Sequence, residues 1–104
     1  MLEQLSQIEQ THEELTARLA DPAVLGDHKA YTEASKALAE ISQVVELYRR
    51  YKQAQEQLGD TREMLAGLDK GDELYDLARE EQAELEARVA ELGERLAAEL
   101  TPKD

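Results

Sequence analysis

The 104-residue sequence predicts an all-α fold: an elongated antiparallel three-helix bundle or coiled coil with one short and two long helices. Three observations carry this reading. Apolar residues recur at spacings of three and four, which puts each set on one helical stripe. The sets are Leu5, Ile8, Leu15 and Leu19; then Tyr31, Ala34, Leu38, Ile41, Val45 and Tyr48; then Leu85, Val89, Leu92 and Leu96. Only two prolines and five glycines interrupt the pattern, so the helices run long. Phe and Trp are absent, which leaves a core of Leu, Ile, Val and Ala suited to thin layers and close helix approach.

The first helix is expected from Leu2 to Leu19 or Ala20 and stops at Asp21-Pro22. Asp21 suits a capping position, and Pro22 suits the first helical position, where its missing N–H is harmless. Ala23-Val24-Leu25 then form a short turn whose Val24 or Leu25 plugs the bundle end, Gly26 closes it, and Asp27 caps the next helix. His12 is the one polar ring on the seam of the first helix and reads as a core or boundary residue. His12 and His28, sixteen residues apart, make no metal-ligand motif.

The second helix is expected from near His28 to about Ala66. Beside its main stripe it carries another, Ala37, Val44, Tyr51 and Leu58, and two stripes call for two helical neighbours. Gly59 lowers helix propensity by only about 1 kcal/mol, and Leu65 continues the pattern beyond it, so the helix is carried through; a bend at Gly59 is the alternative. Gly67 to Asp72 reads as a turn, with Gly67 as carboxyl cap and Asp72 as amino cap of a third helix that ends near Leu100. The first half of that helix, around Leu74, Ala78 and Gln82, is weakly apolar. Thr101-Pro102 ends it, because proline disfavours a helical conformation in its predecessor.

Twenty-four acidic against twelve basic residues give a formal charge of −12, and the excess is uneven. Residues 1–58 carry ten acids and six bases, and residues 59–104 carry fourteen and six. Such a surface repels phosphate backbones and anionic membranes at long range, so protein contact is the default expectation and no membrane partner is expected. Arg49, Arg50 and Lys52 nevertheless form a local basic cluster in the less acidic half. Tyr51 belongs to the second stripe and also lies within this cluster, so it reads either as a packing residue or as part of a partner-facing patch. The acidic segment from Asp69 to Glu81 reads as a solvated loop and helix start, or as a docking surface for a basic partner.

The sequence excludes much chemistry. Without cysteine there is no disulfide, thiol nucleophile or zinc–thiolate site. The five glycines are isolated and build no phosphate loop; the serines lie in no nucleophile elbow. Carboxylate pairs such as Glu80-Glu81 read as solvated helix faces, since acid–base work requires carboxylates held in different environments within a cleft. No catalytic residue, cofactor or metal is expected. No apolar run approaches the roughly 20 residues that span a bilayer, and the amino terminus has no secretory pattern, so a cytoplasmic location is expected.

Several of these residues, taken in order, resemble the amino-terminal domain of bacterial class I peptide chain release factors. They are Asp21-Pro22-x-Val24-x-x-Asp27, Tyr31, the Ile41-x-x-Val44-Val45 run, Tyr48-Arg49-x-Tyr51-Lys52, and Leu100-x-Pro102-Lys103-Asp104. Position 101 is Thr where many members have Leu. The resemblance covers essentially the whole chain and implies a single helical domain over residues 1–104 from a factor that directs termination at UAA and UAG codons. It implies that the decoding and Gly-Gly-Gln segments lie in later domains, so the fragment itself is non-catalytic.

It further implies contact with the stalk-base region of the ribosome, its L11 protein and adjacent rRNA, and with the GTPase-type release factor. On that basis Arg49, Arg50 and Lys52 are the expected rRNA contacts. Tyr51, Met64, Leu68, Asp69, Asp72 and Tyr75 are the expected protein contacts. The competing class is a generic coiled-coil adaptor or self-associating structural protein, and an exposed apolar face would let the isolated fragment self-associate.

Overall fold

A computed structural model describes residues 1–102 and is all-α among them. Its four helices are α1 (Leu2–Leu19), α2 (Pro22–Leu25), α3 (His28–Ala66) and α4 (Glu73–Leu100), packed in a manner consistent with a helical bundle. The expected boundaries therefore hold closely, and the expected short turn is one turn of helix. Lys103 and Asp104, the end of the family-like junction, lie outside the described residues. The chain divides into two compact units, Met1–Glu46 and the segment from Leu47 onward.

In the first unit, the connections follow from side-chain capping. Asp21 Oδ1 accepts the Ala23 N–H at 3.0 Å with Pro22 opening α2, and Asp27 Oδ1 accepts the Ala30 N–H at 3.2 Å at the start of α3. Each carboxylate satisfies an amide that the first helical turn leaves without a partner. Leu5, Val24, Ala34 and Val45 are buried. Of the two residues offered as a plug, Val24 fills the role and Leu25 points to solvent. His12 is half-buried, as a boundary residue would be. Tyr31 departs from its expected packing: it is 41% exposed. It stands on the first turn of α3, and the stripe closes over only from Ala34.

In the second unit, α4 runs back along α3. Tyr51 faces Gly93, where an added Cβ would lie 3.6 Å from the ring edge, and Arg62 reaches Glu86 at 3.3 Å. Later α3 residues thus meet earlier α4 residues. The seam holds Leu47, Ala54, Leu58 and Thr61 from α3, and Ala78, Leu85, Leu92 and Leu96 from α4, all buried. Tyr48 is buried too. Helix α3 passes through Gly59 without a break in its helical run. Gly67 follows the last helical residue but needs no left-handed backbone: no described residue has positive φ. Helix α3 instead closes with tight bonds from the Gly67 and Leu68 amides to the Met64 and Leu65 carbonyls. Thr101 is extended (φ −77°, ψ 128°), as a residue before proline should be.

Candidate functional site

The basic segment occupies a single turn of α3, so its side chains point to different sides. Arg49, Arg50 and Lys52 are exposed. The Lys52 ammonium lies 4.5 Å from the centre of the Tyr48 ring, a cation–π contact that holds it along its own helix. Tyr51 is half-buried, and its hydroxyl accepts a hydrogen bond from Gln55 Nε2 at 3.0 Å. The stretch thus spends two tyrosine rings on packing and leaves its cations at the surface.

Of the three cations, Arg50 lines a concave surface. Arg50, Gln53, Ala54 and Gln57 of α3 and Arg88, Glu91, Leu92 and Arg95 of α4 line a groove of about 360 Å³. Residues 50, 53 and 57 recur at three and four, as do 88, 91 and 95, so each helix presents one continuous face to it. Ala54 and Leu92 are buried and form the floor. Arg88 and Arg95 escaped the sequence reading because they are isolated among acidic neighbours. Their signal is the seven-residue spacing flanking the buried Leu92, which becomes informative once α4 is set against α3.

At the other end of this unit lies the α3–α4 turn. Asp72 Oδ1 accepts the Leu74 N–H at 2.9 Å and so caps α4, while Asp69 remains at the surface. Leu68 and Tyr75 are half-buried and Met64 is exposed. Tyr75 lines a second hollow with Arg62, Leu65, Ala66, Arg79 and Gln82. Leu74, in the weakly apolar first half of the helix, and Leu77, which the periodicity does not single out, are 54% and 62% exposed and form the apolar outer side of the first two turns of α4. Among the described residues no group of three or more His, Asp or Glu side chains is placed to hold a metal ion. No described helix is long and apolar enough to cross a membrane.

The family model for the PCRF domain matches residues 8–104. The chain belongs to the PCRF domain family. Its PCRF sequence is 43% identical over 104 residues to peptide chain release factor 1 of Listeria welshimeri and of Listeria innocua. It is 41% identical over the same length to peptide chain release factor 1 of Lysinibacillus sphaericus. These matches cover all of this chain and 29% of each relative, so the PCRF chain spans under a third of the relatives' length. No solved structure matches it. The resemblance drawn from Asp21-Pro22, the Ile41–Val45 run and Tyr48–Lys52 is borne out by this membership.

Proposed function

We propose that this PCRF chain is the amino-terminal ribosome-contact domain of a peptide chain release factor that directs translation termination at UAA and UAG codons. The observation that carries the reading is the match of the whole chain to release factor 1 sequences from several bacteria. In this role the domain supplies contacts, while decoding and peptidyl-tRNA hydrolysis belong to other segments of the factor. The reading includes the single-domain, elongated three-helix arrangement that the residue periodicity predicts.

The expected partners are the stalk base with its L11 protein and rRNA, and the GTPase-type release factor. A net charge of −12 favours basic protein surfaces. The α3–α4 turn, with Met64, Leu68, Asp69, Asp72 and Tyr75, suits such a surface because apolar and acidic groups lie side by side there. Arg49, Arg50 and Lys52 suit rRNA. The half-buried Tyr51 supports the fold beneath them.

The reading frame beyond the Asp104 codon tests the assignment. Continuation into a segment containing Gly-Gly-Gln supports it; a stop codon soon after replaces it with a free-standing adaptor. The surface assignments are tested in the full factor by neutralising each group and measuring ribosome affinity, and an unchanged affinity removes that group. One observation favours a second reading: the exposed Met64, Leu74 and Leu77 give the chain an apolar surface through which copies can pair. Sedimentation that stays monomeric at high concentration excludes it.

A further inference from the structure

We propose that the α3–α4 groove is a seat for an RNA phosphodiester backbone, with Arg88 and Arg95 of α4 as its principal contacts and Arg50 of α3 facing them. It deepens the ribosome-contact reading and rests on it in choosing RNA over an acidic peptide. The charge argument comes from the groove itself. In a chain with twice as many acids as bases, three guanidiniums and one carboxylate, Glu91, line a single concavity.

Among the described residues, Arg88 and Arg95 form no ion pair, so their charge is not consumed within the fold. They lie two helical turns apart, about 10 Å along α4, far enough to engage separate phosphates. Gln53 and Gln57 line the opposite wall and add neutral donors of the kind that hold phosphate and sugar oxygens. Guanidinium forks match phosphate oxygens bidentately, which ammonium groups do not.

The lining also says what is not read. No aromatic ring is among the lining residues. The nearby Tyr51 ring is engaged with Gly93 and its hydroxyl with Gln55. Base stacking is the usual means of holding unpaired nucleotides. The groove is therefore suited to the backbone of a paired, A-form segment, recognised by charge and shape without sequence preference. Glu91, between the two arginines, keeps the attraction modest, and the attraction falls with salt in proportion to the few phosphates the arginines neutralise.

The test uses the 104-residue chain and a labelled RNA duplex of about 16 base pairs, with anisotropy measured across a salt series. Saturable binding is expected at low salt. The Arg88→Gln/Arg95→Gln variant should weaken it about tenfold or more and reduce the salt slope by roughly two, one for each phosphate no longer neutralised. Arg88→Lys/Arg95→Lys should restore most of the slope and less of the affinity. An Arg18→Gln/Lys36→Gln control, with the same charge loss in the first unit, should stay within about twofold. Circular dichroism confirms that each variant is helical. Three results overturn the proposal: no saturable binding by the unaltered chain, equal losses in the groove variant and the control, or competition by polyglutamate as effective as by unlabelled duplex. The last would make an acidic protein segment the occupant. Each leaves the termination reading to the reading frame beyond Asp104.

Discussion

Replacing Gly59 by Ala should stabilise the chain. Gly59 is exposed within α3, its φ is not positive, and a Cβ built on it meets nothing within 4 Å. The substitution therefore adds neither clash nor packing, and what remains is backbone entropy. Glycine gives up more conformational freedom than alanine on entering a helix, a difference of about 0.5–1 kcal/mol. At the upper end this raises the folded-to-unfolded ratio about fivefold, and the midpoint of thermal unfolding rises by about 4–8 °C in a domain of this size. Urea titration followed by far-ultraviolet circular dichroism measures it, with an unchanged slope showing that only stability has moved. Gly59→Pro should lower stability by about 3 kcal/mol or more, through the missing backbone hydrogen bond and the clash with the preceding turn. An alanine variant no more stable than the parent would refute the reasoning. It would mean that α3 uses the freedom of glycine at this point and is not a plain continuous helix there.

Leu96 is fully buried, so Leu96→Ala should cost about 3–5 kcal/mol in urea unfolding. Leu77→Ala, on the exposed side of α4, should change stability by less than about 0.5 kcal/mol in the same assay. Asp72→Ala removes the side-chain cap of α4 and should destabilise by about 1 kcal/mol, with amide exchange rising first near Leu74. The Arg62–Glu86 pair at 3.3 Å joins two half-exposed side chains, and a double-mutant cycle should give about 0.2–1 kcal/mol, decreasing as salt is added.

Helix boundaries were almost wholly legible because short-range chemistry sets them. Asp21-Pro22, Asp27 and Asp72 each place a carboxylate where a first turn leaves amides unpaired, and Pro102 fixes the conformation of Thr101. The seam of the second unit was legible only in part. Every seventh residue, Tyr51, Leu58 and Leu65, was visible as apolar, but the intervening positions are Ala54 and Thr61, whose small side chains give little signal although both are buried. Leu47 is hidden by its neighbour Tyr48, which falls on the other stripe. Tyr31 fits the periodicity yet is exposed, since a stripe continues along a helix beyond the point where anything covers it.

The groove was less legible still. Arg50 stood out beside Arg49 and Lys52, but concavity depends on which α4 residues lie opposite, a long-range fact that local spacing does not contain. Arg88 and Arg95 become candidates only with Gly93 set against Tyr51, because that contact fixes the register of the two walls.

The small residues of that seam have a thermal consequence. Ala54, Thr61 and Ala78 close the gap between α3 and α4 while withdrawing little hydrocarbon from water. The heat capacity gained on unfolding follows the hydrocarbon newly hydrated, so the increment per residue should fall below the roughly 12–15 cal/mol/K common among globular domains. A small increment flattens the curve of stability against temperature. Such a chain gains its persistence from breadth, holding a modest free energy nearly level from cold to warm instead of reaching a high maximum between steep sides.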